Sequence, residues 1–217
     1  MQNFITVAID GAAASGKTST SLWIANEYNL LLVSTGMHYR AITLKIMQAG
    51  VSSADGRGID NFLRAITLGT EIGGNIAGIT INGESFGEKN LRTQEVNDTV
   101  TRYSAVDSIR KFLLPYQKFQ VHVAREHNFR GVIMEGRDIT SVILPHADLK
   151  FFLEASARKR SLRRKNDGEP DFISERDKLD GQRTICTAGV FRIDTGKNNF
   201  RTVTAVISNE IEKILSK

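Results

Sequence analysis

Cysteine is almost absent from the sequence, with Cys186 standing alone among 217 residues. No intramolecular disulfide is possible, which excludes the small disulfide-framed secreted scaffolds and fits a reducing compartment; Cys186 reads as a small packing residue. No run of about 18 apolar residues occurs, which excludes an ordinary membrane-spanning helix. The apolar N-terminal stretch Phe4–Ile9 is too short for a secretory core and has no basic leader, so a soluble cytoplasmic protein is expected. Internal repeats, low-complexity tracts and flexible interdomain linkers are missing too. Nor is the charge strongly biased: 29 Lys+Arg against 24 Asp+Glu leave a net +5. That balance suits anionic ligands and equally nucleic acid, without choosing between them. What is present in quantity is hydrophobic residue, at 41%, enough for a substantial core in one domain or a core with insertions.

The most informative stretch runs from Phe4 to Thr18. An apolar, β-branched run ends in Asp10-Gly11-Ala12-Ala13-Ala14-Ser15-Gly16-Lys17-Thr18, which fits the phosphate-loop pattern G-x-x-x-x-G-K-[ST]. Glycines let the backbone turn its N–H groups toward phosphate oxygens, and a helix starting near Lys17 adds the positive end of its dipole. Lys17 would offer a mobile cation to the β- and γ-phosphates. The Thr18 hydroxyl would ligate the accompanying Mg2+. Residues Gly11, Ala12, Ala13, Ala14, Ser15, Gly16, Lys17, Thr18 and Ser19 are thus the expected ATP-binding set.

Strand and helix signals alternate along the rest of the chain, which predicts an α/β core with a parallel sheet. The pattern predicts a helix over 17–28, with Leu22, Ala25 and Tyr28 on one face and Trp23 packed. A buried strand over 30–33 and a helix over 37–49 follow. Residues 55–66 begin polar and then read as a short helix. Six glycines in 67–88, with Asn82-Gly83 between alternating residues, predict an antiparallel hairpin. Helical spacing over 92–128 uses Val106, Ile109, Leu113 and Phe119 as face residues, with a kink at Pro115. Further strands are expected at 131–134, 149–153 and 190–193, a charged helix at 172–184, and a closing helix over 202–215 on Val203, Val206, Ile207, Ile211 and Ile214.

A phosphoryl-transfer site holds two anionic substrates in line and needs cations from several segments. Arginines occur where this requires: Arg40 and Arg137 follow predicted strands, Arg92 and Arg110 follow the hairpin, and Arg176 and Arg183 come late. Their planar forks suit bidentate phosphate contacts. Glu135 and Asp138 flank the end of the 131–134 strand, where a carboxylate could hold magnesium through water, orient the second substrate or pair with an arginine. The run Arg158–Lys165 has six basic residues in eight. It reads either as a lid closing over phosphates or as a static cationic face for nucleic acid or a membrane. His38 reads as a packing residue.

Five segments taken together, the phosphate loop, Ser34–Arg40, Leu91–Val96, Glu135–Asp138 and Arg176–Arg183, resemble the bacterial cytidylate kinases in order and spacing. The likeness spans essentially the whole chain. It implies a phosphate-loop fold with a five-stranded parallel sheet flanked by helices. It further implies a core of residues 1–66, 96–155 and 184–217, a monophosphate-binding insertion at 67–95, and an arginine-rich lid with its following helix at 156–183. The implied reaction passes the γ-phosphoryl of MgATP to CMP or dCMP. Arg40, Arg137 and Arg183 would clamp the acceptor phosphate with Thr35 beside it, and Arg176 and Asp180 would hold the ribose. Thr101, Arg110 and Asp138 would read the cytosine edge. Arg160 and Arg163 or Arg164 would act on ATP, with Lys17, Arg137, Arg183, Arg160 and Arg163 as the catalytic cations. The chain departs from the family at Ser34-Thr35, where Asp-Ser is common, at Ala12-Ala13, where Pro-Ser is common, at His38, where an apolar residue is usual, and at Leu179 and Gly181, often basic. ATP and CMP are the expected partners, with no nucleic acid or membrane, and a monomer is expected because the whole site lies in one chain. Two rival readings stand beside this one: another small phosphate-loop kinase acting on UMP, AMP or a non-nucleotide acceptor, and a non-catalytic nucleic-acid-binding protein.

Overall fold

The computed structural model describes residues 3–166 and 189–216. In chain order the elements are β1 (Ile5–Gly11), α1 (Lys17–Tyr28), β2 (Leu30–Ser34), α2 (Thr35–Gln48), α3 (Gly56–Arg64), β3 (Leu68–Gly73), β4 (Ile76–Ile81) and β5 (Glu84–Ser85). They continue with α4 (Glu88–Leu91), α5 (Gln94–Tyr103), α6 (Asp107–Glu126), β6 (Gly131–Gly136), β7 (Leu149–Glu154), α7 (Ala157–Asn166), β8 (Phe191–Asp194) and α8 (Phe200–Leu215). A π-helical turn occupies Ile139–Ile143. Packing divides the chain into two compact units, Met1–Leu32 with Val121–Lys217, and Val33–Gln120.

The first unit is the α/β part. Its strands lie in the order β2-β6-β1-β7-β8, and the β1–β6, β1–β7 and β7–β8 pairs are parallel. Such strands are covered on both faces, and the sequence shows it: β6 is buried at every residue, and β1 at all but Thr6. Val7 faces Ile133 on one side and Leu149 on the other. Ile5, Val7, Ile9, Phe151 and Leu153 pack with Ile24, Ala25 and Tyr28 of α1 and with Val203, Ile207 and Ile211 of α8. Each large side chain so buried contributes about 1.5–3 kcal/mol. The position of β1 at the centre of this sheet puts the phosphate-loop sequence at the carboxyl edge, where ligands bind in open α/β folds.

The second unit has its own core, built from Ile42 and Ile46 of α2, Ile59 and Leu63 of α3, Ile79 and Ile81 of β4, and Ile109 and Leu113 of α6. The expected hairpin is present: β4 and β5 are antiparallel, and the joining Asn82 and Gly83 have φ of 52° and 80°, the paired positive values of a type I′ turn. The expected insertion at 67–95 falls inside this unit, whose core also draws on α2, α3 and α6. The single helical span expected over 92–128 is instead two helices, α5 and α6, with Thr93 capping α5 by accepting from the Val96 N–H at 3.4 Å. Pro115 lies within α6, which runs through it as one element.

Four packing expectations fail. Phe119 is 52% exposed, Val206 39%, Trp23 39% and Leu22 36%. In each case other apolar positions of the same helix, Leu113, Val203 with Ile207, and Ile24 with Ala25, are the buried ones. The charged helix expected at 172–184, and Cys186, lie outside the described residues.

His38 packs as the sequence suggests. Its ring is buried, meets Tyr116 edge-on with centroids 5.1 Å apart, and neither nitrogen has a hydrogen-bond partner. Burial lowers its pKa from 6.5 to about 3. The unfolded chain therefore takes up a proton that the fold refuses, so the stabilisation is complete above pH 6.5 and is lost as pH falls from 6.5 toward 3. Urea unfolding at pH 7 and pH 5 should show the wild type losing about 2 kcal/mol more than His38→Phe between the two. Equal pH dependence in the two proteins would contradict the assignment.

Candidate active site

The site begins where β1 stops. Asp10 turns its carboxylate inward and accepts from the Ile139 N–H at 2.8 Å, the Thr140 N–H at 2.9 Å and the Thr140 hydroxyl at 2.6 Å. One buried carboxylate thereby joins the end of β1 to the turn that follows β6. At Gly11 the chain passes so close to β7 that a Cβ would overlap the Leu153 carbonyl oxygen, which is why glycine stands there. Ala14 has φ 57° and Gly16 φ 91°, and Gly16 caps α1 without any side-chain hydrogen bond. The loop thus leads into the N-terminus of α1, and a helix N-terminus is the kind of position that binds phosphate.

The loop's carbonyls are held one after another. Lys17 Nζ donates to the Ala12 oxygen at 2.8 Å, Arg160 Nη1 to Ala13 at 3.3 Å, Arg163 Nη1 to Ala14 at 3.1 Å, and the Thr195 hydroxyl to Ser15 at 2.8 Å. Arg163 also donates to the Thr195 carbonyl at 2.6 Å and the Thr195 hydroxyl at 3.1 Å. Arg160 reaches back to the Ala155 oxygen at 3.0 Å. Thr18 donates its hydroxyl to Glu135 Oε1 at 3.1 Å, and Ser19 donates to the Gly16 oxygen at 3.1 Å. Beside the loop opens a cavity of about 380 Å3, with Gly16, Arg163, Asn166, Asn198, Phe200 and Val203 on its walls. Its apolar side and its amide groups suit a planar heterocycle attached to the phosphates.

The family model described as Cytidylate kinase matches residues 7–213. The chain belongs to the cytidylate kinase family. It is 31% identical to the cytidylate kinase of Clostridium botulinum (strain Langeland / NCTC 10281 / Type F), covering 96% of this chain and 98% of that one. It is 32% identical to the cytidylate kinase of Pelotomaculum thermopropionicum over 84% of this chain and 83% of the relative. Among solved structures, a sugar kinase from Janibacter sp. HTCC2649 superposes with a TM-score of 0.55 at 11% identity, over 96% of this chain and 95% of that one, a likeness of fold.

Within this cytidylate kinase chain the expected site residues divide between the units. The first unit brings together Gly11–Ser19, Arg160, Arg163 and Glu135, and it also carries Arg137 and Asp138 just past β6. Asp138 is buried, and its carbonyl accepts from the N–H groups of Val142 and Ile143. The second unit carries Thr35 at the start of α2, Arg40 on α2, Thr101 on α5 and Arg110 on α6. Arg40 is buried, donating to the Leu91 carbonyl and to Asn97 Oδ1, both at 2.8 Å. Arg110 donates to the Ser104 carbonyl at 3.4 Å and stands 5.9 Å from the centre of the Tyr39 ring. Arg176, Asp180 and Arg183 lie outside the described residues.

Sequence reasoning missed Thr195 and Asn97, the anchoring role of Asp10, and Asn198 and Phe200 of the cavity wall. Thr195 bonds the loop from 180 residues away. Asn97 holds Arg40 from 57 away while donating to the Arg92 carbonyl at 2.9 Å. For Thr195 the available signal was a polar turn, Asp194-Thr195-Gly196-Lys197-Asn198, directly after a strand; Asn97 gave none. Burial raises the Asp10 pKa above 3.8, with its three hydrogen bonds working the other way. The fold therefore holds that proton more tightly than the unfolded chain, and this group's share of stability falls as pH climbs from 3.8 through its raised pKa. Asp10→Asn should cost about 1–3 kcal/mol at pH 7, since an amide NH2 must then face a donor. Chemical unfolding measures it, and a neutral substitution would show that the three bonds do not anchor the loop.

Proposed function

We propose that the chain transfers the γ-phosphoryl group of ATP to CMP, yielding ADP and CDP, with dCMP as a second acceptor. The observation that carries this reading is a complete phosphate loop whose carbonyls are all tied back, in a chain of the cytidylate kinase family. Lys17 moves from the Ala12 carbonyl to the β- and γ-phosphates, and the cavity beside Phe200 and Asn198 takes the donor base.

A divalent cation fits the residues present, since the Thr18 hydroxyl and the Glu135 carboxylate lie 3.1 Å apart and are the hard oxygen donors Mg2+ prefers. Thr18 would hold it directly and Glu135 directly or through water. Bound there, it supplies charge neutralisation to the donor phosphates.

On the acceptor side, Arg40, Arg137 and Arg183 clamp the phosphate of CMP with Thr35. Arg176 and Asp180 hold the ribose, while Thr101, Arg110 and Asp138 read the cytosine. The acceptor phosphate oxygen is ionised at neutral pH, so it bonds to the γ-phosphorus as the bond to the β–γ bridging oxygen breaks, and no general base is required. Orientation and charge neutralisation carry the rate. The protein works as a cytoplasmic monomer with ATP and CMP as its partners, and without nucleic acid or membrane. No helix among the described residues is long and apolar enough to cross a membrane. Against the rival cationic-face reading, Arg160 and Arg164 are only 5% and 6% exposed and so withdrawn from any nucleic-acid surface, which would be left to the exposed Arg158, Lys159 and Lys165.

An ADP-release assay with CMP, dCMP, UMP and AMP tests the reading. CMP should be the best acceptor with dCMP near it; equal rates for CMP and AMP would contradict base reading by Thr101, Arg110 and Asp138, and absence of ADP with every acceptor would contradict the kinase assignment. Lys17→Met should lower turnover by about 10²–10³-fold or more, and wild-type turnover would remove Lys17 from the chemistry.

A further inference from the structure

We propose that Thr195, with Arg163, forms a latch that holds the phosphate loop in its anion-binding shape and couples it to α7. Both are positioning residues in this assignment. The inference rests on reading Gly11–Thr18 as the nucleotide phosphate site, and it gives Arg163 a different task from direct contact with ATP.

Of the four donors on the loop's carbonyls, Lys17 is the one the reaction calls away, so Arg160, Arg163 and Thr195 remain to hold the backbone when phosphate is bound. Thr195 is the pivot among them. It is buried, its N–H donates to the Glu154 carbonyl at 2.8 Å at the end of β7, its hydroxyl donates to the Ser15 carbonyl, and its own carbonyl and hydroxyl accept from Arg163. A threonine hydroxyl has one proton and two lone pairs, so giving to Ser15 at 2.8 Å, the shorter of two carbonyl contacts with Glu154 at 3.2 Å, and accepting from Arg163 are compatible. The second contact of Arg163, on the Ala14 carbonyl, closes the circuit from α7 through Thr195 to the loop and back.

What the circuit restrains is an unfavourable backbone. Ala14 sits at φ 57°, a left-handed conformation that a side chain bearing a Cβ resists, and such residues persist where their surroundings over-determine them. The same conformation, repeated at Gly16, turns successive N–H groups to one side and forms the concavity that receives an anion. Releasing the Ser15 and Ala14 carbonyls lets that side of the loop relax.

The test is calorimetric titration of ATP and ADP into the wild type, Thr195→Val, Thr195→Ser, Arg163→Met and the Val/Met double variant. Thr195→Val should weaken both nucleotides by about tenfold, and Thr195→Ser should restore them to within about twofold. The double variant should bind no worse than the weaker single one, because both members serve one latch. Ala14→Gly added to Thr195→Val should recover part of the loss, since glycine adopts the left-handed shape without strain; a purely structural defect would not respond to it. Multiplying losses in the double variant would overturn the latch and return Arg163 to direct nucleotide contact. Wild-type binding by Thr195→Val would overturn it outright. A wild type that binds neither nucleotide would contradict the functional reading instead. The latch is then judged on the free protein by amide hydrogen exchange over residues 12–18, which should quicken in both Thr195→Val and Arg163→Met. Unchanged exchange in both overturns it.

Discussion

A backbone that presents its N–H groups to a phosphate must turn its carbonyls elsewhere, and every carbonyl turned into a protein interior needs a donor. That constraint organises the α/β unit. The loop after β1 leads its N–H groups into the start of α1, and the carbonyls of Ala12, Ala13, Ala14 and Ser15 are met by Lys17, Arg160, Arg163 and Thr195. Those donors come from α1, from α7 and from the turn after β8, so three separate segments must be in place before the loop has its shape. Asp10 secures the near end of the loop to the turn after β6, and Gly11 lets the chain pass against β7.

The same constraint explains the distribution of charge. Lys17, Arg160 and Arg164 are buried, and a buried cation is tolerated only with hydrogen-bond acceptors around it. Loop carbonyls supply such acceptors to Lys17 and Arg160. The Glu135 carboxylate accepts from the Thr18 hydroxyl, the pair proposed above to hold a divalent cation. In the second unit the buried Arg40 donates to the Leu91 carbonyl and to the Asn97 amide oxygen.

Local signals were legible in the sequence and distant ones were not. The span of α1, Lys17–Tyr28, follows from glycine before it and a left-handed Asn29 after it, and Asn82-Gly83 announced a turn whose two positive φ values only such residues adopt with ease. The phosphate-loop pattern named its own ligand. Periodicity overreached at Phe119 and Val206, because an apolar residue at helical spacing packs only if the facing element leaves space for it. The break between α5 and α6 carried no glycine or proline to mark it. Thr195 and Asn97 stayed hidden because their importance is set by partners far away in sequence, and neither residue type declares a chemistry of its own. The basic run was ambiguous for a related reason: composition shows the charges of Arg160, Arg163 and Arg164 and is silent on whether water or carbonyl oxygens receive them.

Donors on its carbonyls hold the loop in its binding shape before any nucleotide arrives. A crystal structure of the complex with ADP tests it most directly. The β-phosphate should lie within hydrogen-bond distance of the N–H groups of Gly16, Lys17 and Thr18, with Lys17 moved onto it while Arg163 and Thr195 keep the Ala14 and Ser15 carbonyls. A complex in which Arg163 has left Ala14 for the phosphate, or in which the phosphates bind away from the loop, would contradict the account.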